Sequence, residues 1–232
     1  MKALITGGAG YIGSSIASAM IDKGDTPIIL DSLIKGKQEF AANRIFYHGD
    51  IADRALLARI FSEHPDISCT IHCAALAVVS ESVEQPYKYY RENVSKPLEF
   101  FQALIELGYP RLIFSSSASI YKATPPAFQV QEDSLLTASC PYAQTKIMTE
   151  QILADLCQPS PLQAISLRYF NPIGADPKFR TGPYDKEPTH LLGSLVEVAT
   201  DRRQVFELNG INWPTRDGSA IRDFIHVWDL AN

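Results

Sequence analysis

The chain has 232 residues, 46% of them hydrophobic and 20% charged, and a formal net charge of −5. That length allows one large domain or one and a half small ones with a substantial core. The negative balance, with no basic run anywhere, excludes a general nucleic-acid binder, because gripping a phosphate backbone depends on clustered Lys and Arg. No apolar stretch approaches membrane-spanning length, and a glycine loop interrupts any leader-like apolar region near the start. A cytoplasmic protein with neither membrane nor nucleic acid as a partner is expected.

The first element in the chain is also the most informative. Ala3, Leu4 and Ile5 form a short apolar run suited to a central parallel strand, and Gly7, Gly10 and Gly13 follow at once, with a helical pattern starting near Tyr11. Ile12, Ile16, Ala19 and Met20 share one face of that helix, and Gly24 stands where a helix end favours a left-handed residue. A second apolar strand over residues 28–30 ends in Asp31. This is the layout of a βαβ unit that binds a dinucleotide: the glycines let the backbone approach a pyrophosphate at the positive end of the helix. Asp31 would accept hydrogen bonds from the adenosine ribose and repel a 2′-phosphate, which favours NAD over NADP.

The alternation continues. Strands are predicted over 45–48, 68–73, 111–114 and 163–168, and helices over 55–62, 86–107 and 142–156, which together make an α/β, Rossmann-like, doubly wound parallel sheet. Asp50, directly after the third strand, either reaches an adenine edge or belongs to the N-cap region of the next helix. The segment 86–107 is apolar on more than one face, so it is either a deep core helix or also packs against a partner subunit. After Phe170 the texture turns to Pro, Gly and charge. Residues 1–170 are therefore assigned to the cofactor-binding domain and 171–232 to the beginning of a smaller substrate-binding lobe with a return segment. The last residues, from His226, read as the start of a helix, so the end at Asn232 looks like a cut.

Neither the four cysteines nor the five histidines show ligand spacing, so no metal is expected; Cys69 and Cys73 read as small strand residues, and His72 as a hydrogen-bonded core histidine. The chemistry resides instead in Tyr142-Ala-Gln-Thr-Lys146, whose i, i+4 spacing puts both side chains on one helical face. A phenol with an ordinary pKa of about 10 must drop by about 3 units, or roughly 4 kcal/mol, to act as a base near neutrality. One cation at about 5 Å and an effective dielectric of about 20 supplies roughly 3 kcal/mol, so Lys146 and an oxidised nicotinamide together suffice. Ser115-Ser-Ser117, just past a strand, offers a hydroxyl at the ligand-facing end of the sheet but no carboxylate for water elimination.

Taken together, Gly7-Gly-Ala-Gly-Tyr-Ile-Gly13, Ile71-His-Cys-Ala-Ala75, Tyr89-Tyr-Arg-Glu-Asn93, Phe114-Ser-Ser-Ser-Ala-Ser-Ile-Tyr121, Leu167-Arg-Tyr-Phe-Asn-Pro-Ile-Gly174, Trp213-Pro-Thr-Arg-Asp-Gly218 and Arg222-Asp-Phe-Ile-His-Val-Trp-Asp-Leu-Ala231 resemble the UDP-glucose 4-epimerases of the extended short-chain dehydrogenase/reductase family. The resemblance covers the whole chain but stops short of the C-terminal third of a typical member. It implies interconversion of UDP-glucose and UDP-galactose by transient C4 oxidation with bound NAD, in a homodimer. Tyr142 then matches the base, Lys146 its ribose and charge partner, and Ser117 the hydroxyl beside the sugar. Gly7, Gly10, Tyr11, Ile12, Gly13, Asp31, Asp50, Ile51, Asn93 and Tyr169 match cofactor contacts, and Asn171 and Arg222 match ligands of the UDP moiety. Four positions depart from the pattern: Ser32, Ala77 where a cofactor-contacting lysine is common, Lys122, and His190 in place of a nucleotide-binding asparagine. Epimerisation of another UDP-sugar, or an NAD-binding module without turnover, are the alternatives.

Overall fold

The computed structural model describes residues 1–122, 129–184, 188, 190–208 and 210–232. Six parallel strands form the central sheet: β1 (Lys2–Thr6), β2 (Thr26–Asp31), β3 (Ile45–His48), β4 (Cys69–His72), β5 (Arg111–Ser115) and β6 (Gln163–Leu167). Their spatial order is β3-β2-β1-β4-β5-β6, so the winding reverses between β1 and β4. In such a sheet the crevice outside the carboxyl ends of those two strands is where a ligand fits. Both faces are covered, which is why the middle of β1, residues 3–5, is apolar throughout: Leu4 joins one core with Leu30, Leu57, Phe100, Phe101 and Phe114, and Ile5 joins the other with Ala17, Met20 and Ile29. His72 lies within the first core, 2% exposed, with its Nδ1 2.7 Å from Thr6 Oγ1.

Helix α1 (Tyr11–Asp22) follows the glycine loop, and Gly24 has a φ of +81°. More of α1 is buried than its apolar face: Ser14, Ser15 and Ser18 are all fully covered. The cause lies at the other end of the chain, where α8 (Val227–Ala231) packs on α1 and Arg180 binds both Asp22 and the buried Asp176.

Helix α2 (Arg54–Glu63) is capped by Asp53, whose side chain accepts from Leu56 N at 3.0 Å; Asp50 is therefore not the cap. After the short α3 (Val79–Glu84), the predicted helix over 86–107 is divided into α4 (Pro86–Tyr90), a π-turn (Arg91–Ser95) and α5 (Lys96–Leu107). Pro97 explains this π-turn within an otherwise continuous helix, since it has no N–H to offer the carbonyl of Asn93 and its ring crowds that carbonyl. Thr149 Oγ1 donates to the freed oxygen at 3.0 Å instead. The helix is both deep and exposed: Tyr89, Phe100, Phe101 and Leu104 are fully buried, whereas Tyr87 is 80% exposed and Leu98 39%.

Helix α6 (Pro141–Cys157) covers the β5–β6 side, and β6 ends one residue earlier than the pattern suggests. Beyond it lie a two-stranded parallel ladder of β7 (Asn171–Ile173) with β8 (Phe224–His226), and α7 (Leu191–Ala199). None of these was legible from periodicity. A hydrogen bond from Tyr11 Oη to the Gly174 carbonyl, 2.7 Å, ties this region to the start of α1.

Candidate functional site

A cleft of about 1180 Å³ opens at the carboxyl ends of the strands. Its floor is the glycine loop. Gly7 has a φ of +68°, a conformation side chains rarely tolerate, and a Cβ on Gly13 would lie 2.3 Å from the Gly7 carbonyl oxygen. With only hydrogen at these positions, the backbone at the N-terminus of α1 is bare toward the cleft, and its unpaired N–H groups suit a diphosphate. Gly7, Gly10, Tyr11, Ile12 and Gly13 all line the cleft.

The second wall comes from the ends of β2 and β3. Asp31 is 7% exposed; its Oδ2 accepts from Ala9 N at 3.0 Å and its Oδ1 from Leu33 N at 2.8 Å. It lines the cleft beside Ser32, Asp50 and Ile51. Asp50 accepts from Ala52 N at 2.9 Å and forms an ion pair with Lys96 Nζ at 2.5 Å. Burial acts to raise the Asp50 carboxyl, but the hydrogen bonds from Lys96 and Ala52 outweigh it and hold the group below its ordinary value. Lys96 escaped the sequence reading. Its i, i+4 spacing to Glu92, which it also binds, was visible, but its contact with Asp50, 46 positions away in the chain, was not.

Asn93 differs from expectation. It is 4% exposed and does not line the cleft; its amide exchanges two hydrogen bonds with the backbone of Leu76, each 2.9 Å, and donates to Thr145 Oγ1 at 3.2 Å. The π-turn ahead of Pro97 aims it into this gap between α6 and the loop after β4. Asn93 therefore fixes Leu76, which does line the cleft. Ala77 also lines it but contributes no charge, Lys122 does not reach it, and His190 caps α7 by accepting from Gly193 N at 3.1 Å.

The third wall carries the reactive groups. Tyr142 and Lys146 project from α6 into the cleft, opposite Ser115 and Ser117 at the end of β5 and Tyr169 beyond β6. Ser117 stands beside Tyr142 in the cleft, where its hydroxyl acts to lower the phenol, and its Oγ is 2.9 Å from Ser119 Oγ. Lys146 Nζ donates to the Ser115 carbonyl at 2.7 Å and lies 5.8 Å from the Tyr142 ring centroid and 4.8 Å from that of Phe114. Burial lowers the Lys146 ammonium to about 8, against the opposing influence of Cys73 and Glu150. Burial also raises the Tyr142 phenol above its ordinary value, and the Ser117 hydroxyl only partly offsets this. Lys146 gives only one of its three N–H donors to Ser115, yet burial still leaves the phenol above its ordinary value, so bringing it toward neutrality calls for a further positive charge in the cleft.

Asn171 and Arg222 face the same cleft from β7 and the segment before β8, with Asn171 Nδ2 donating to the Asp223 carbonyl at 2.8 Å. Arg222 is exposed and forms no ion pair among the described residues, leaving a guanidinium fork open to an anion. Trp213, Pro214 and Thr215 complete this side.

Comparison with known proteins fits this geometry. The model of the NAD dependent epimerase/dehydratase family matches residues 3–232. A UDP-glucose 4-epimerase of Halalkalibacterium halodurans is 40% identical across all of this chain and 69% of its own length, and one from Yersinia pestis is 41% identical across all of this chain and 71% of its own. The crystal structure of a UDP-glucose-4-epimerase from Stenotrophomonas maltophila, with bound NAD and formylated UDP-arabinopyranose, superposes with a TM-score of 0.92 at 34% identity, over all of this chain and 71% of that one. The chain thus spans about 70% of the length of these relatives. With a glycine cradle, an acid closing β2 and a Tyr–Lys pair facing them across one cleft, the chain belongs to the NAD dependent epimerase/dehydratase family.

Proposed function

We propose that this protein interconverts UDP-glucose and UDP-galactose by epimerisation at C4. The observation that carries this reading is that Ser117, Tyr142 and Lys146 share one cleft with both the glycine cradle and the exposed Arg222. NAD, when bound, supplies a hydride acceptor that returns the hydrogen it takes. Gly7, Gly10, Tyr11, Ile12 and Gly13 hold its diphosphate, Asp31 its ribose, Asp50 and Ile51 its adenine side, and Lys146 and Tyr169 its nicotinamide end. Asn93 supports that surface from behind.

On the sugar, Tyr142 takes the proton of the 4-hydroxyl, either directly or through Ser117, which lines the cleft beside it. Tyr142 then returns the proton when the sugar is reduced on its other face. Asn171 and Arg222 grip the UDP moiety while the hexose stays loosely held, which lets either face approach the same reactive carbon. Residues 1–170 act as the cofactor domain and 171–232 as the substrate lobe. The same site suits C4 epimerisation of a UDP-pentose, the ligand type present in the Stenotrophomonas relative.

Two broader features belong to this reading. The exposed apolar side chains of α3 to α5 pair with a second copy to give a homodimer, and the protein works in the cytoplasm, where its four free cysteines stay reduced. No helix among the described residues is long and apolar enough to cross a membrane. The test is incubation of the chain with NAD and UDP-galactose, with UDP-glucose detected by a coupled dehydrogenase. Steady formation of UDP-glucose is expected, and absence of product at saturating NAD overturns the reading.

A further inference from the structure

Behind the cleft and outside its lining, Glu150 and Arg168 form a pair whose side chains are only 10% and 21% exposed. Arg168 Nε is 3.1 Å from both carboxylate oxygens of Glu150, and Nη2 donates to Oε2 at 2.6 Å. The remaining nitrogen, Nη1, donates to the Tyr121 hydroxyl at 2.9 Å and to the Glu132 carbonyl at 2.8 Å. Glu150 Oε1 also accepts from the hydroxyl of Ser116, which is 2% exposed.

Each end of this network is one step from a group that faces the cleft. Ser116 stands between Ser115 and Ser117, which both line the cleft, and Arg168 immediately precedes Tyr169, which lines it too. The backbone reinforces the link: Ser116 N donates to the Leu167 carbonyl and Ala118 N to the Tyr169 carbonyl, each at 3.0 Å. Glu150 lies one helical turn beyond Lys146 on α6, and Tyr121 lines the cleft directly. A single pair therefore ties together the four chain segments that present Ser117, Lys146, Tyr169 and Tyr121.

Removing one partner of such a pair leaves the other charge buried and uncompensated, so the arrangement is stiff. Arg168 makes five hydrogen-bond contacts from a planar fork, a geometry that a lysine does not reproduce. The groups facing Lys146 are the Cys73 thiol and His72 from the β4 side, the Ser115 carbonyl from β5, Tyr142 and Glu150 from α6, and the Tyr169 hydroxyl, which is hydrogen-bonded to Ser115. Of these, Glu150 is the carboxylate, and its charge favours the protonated amine.

We propose that Glu150 and Arg168 are positioning residues for proton transfer: they form no part of the cleft lining, but set the placement of Ser117, Lys146 and Tyr169 from behind. This deepens the epimerase reading and rests on it for its kinetic test. Glu150→Gln keeps the shape and removes the charge. In the full chain, kcat is expected to fall about 10- to 100-fold through misplacement while KM and NAD affinity hold. The alkaline limb of the activity profile should move to lower pH.

A readout independent of turnover separates the two ideas. NMR of isotope-labelled lysine amines follows the Lys146 titration, which should move to lower pH in Glu150→Gln. Ser116→Ala removes one hydroxyl link without a charge and serves if Glu150→Gln does not fold; it should lower kcat several-fold with KM unchanged. If the unmutated chain shows no epimerisation, the functional reading fails and the lysine titration still decides the charge role of Glu150. An unmoved Lys146 titration, or full kcat in both variants, overturns the positioning role.

Discussion

The Asp31 carboxylate holds the glycine loop, its Oδ2 accepting from Ala9 N at 3.0 Å. The residue that closes β2 is thus part of the cradle as well as of the cleft wall, and its other oxygen is engaged by Leu33 N. Replacing it affects two things at once. Asp31→Ala should weaken NAD by about 1–3 kcal/mol, because it leaves the Ala9 N–H without its buried partner in addition to losing a ribose acceptor. The unmodified chain should prefer NAD over NADP, and the variant should discriminate less. Calorimetric titration with both cofactors checks this, and equal or tighter binding of NADP by the unmodified chain would contradict it.

Tyr142→Phe should lower epimerisation by about 10²- to 10⁴-fold, the range for loss of a positioned acid–base group, while NAD and UDP bind nearly as before. Burial holds the Tyr142 phenol above its ordinary value, so tyrosinate absorbance from this residue should be absent near neutral pH in the free chain. Addition of NAD should bring the ionisation to lower pH. A tyrosinate already formed at neutral pH without cofactor would overturn the need for a second cation.

Two buried bases give the fold a definite pH dependence. His72 is lowered to about 3, first by burial and then by the nearby Lys146 charge, so the unfolded chain takes up this proton at a higher pH than the folded one. Its contribution to stability is complete above the ordinary histidine value and is lost as the pH falls from about 6.5 toward 3. Lys146, lowered to about 8, acts in the same direction at higher pH: its buried charge costs stability below about 8, and the cost is relieved as the pH rises toward 10.5. Lys146→Met should therefore raise the midpoint of thermal unfolding near pH 7 by an amount equivalent to about 3 kcal/mol or less, and the gain should shrink above pH 8. Thermal melts across pH that gave a constant difference between the two proteins would refute this assignment.

Local signals made the first half of the molecule legible. The run from Lys2 to Asp31 combines a buried strand, glycines with backbone roles and a closing acid, and each feature depends on near neighbours. The Tyr142–Lys146 spacing was readable for the same reason. Most of what escaped depends on distant parts of the chain. The N–H that Pro97 lacks gives a π-turn over residues 91–95, and the Leu76 backbone that Asn93 then meets lies 17 positions away, so the partner rather than the turn was hidden. The Lys96–Asp50 and Glu150–Arg168 pairs were hidden because a side chain's distant partner is set by tertiary packing, whereas the His190 cap, which accepts from Gly193 N three residues on, is local and was missed because histidine is not among the usual capping residues. The β7–β8 ladder has three residues per strand, too few for a period to register.

The surface of α3, α4 and α5 makes the last prediction. Val83 is 62% exposed, Tyr87 80% and Leu98 39%, whereas the opposite side of the same segment, with Tyr89, Phe100 and Phe101, is fully buried. An apolar side chain gains nothing from standing in water, and several on one run of helices mark a contact surface. Two copies meeting across a two-fold axis would bury each patch against itself, which satisfies both with one interaction. Tyr87→Glu should then separate the copies, because in a self-complementary interface it brings like charges together and removes an aromatic contact from each partner. Light scattering should give a dimer for the unmodified chain at micromolar concentration and a monomer for the variant, with the fold retained by circular dichroism since Tyr87 supports nothing in the core. A monomer in both cases would assign the patch to something other than a second copy.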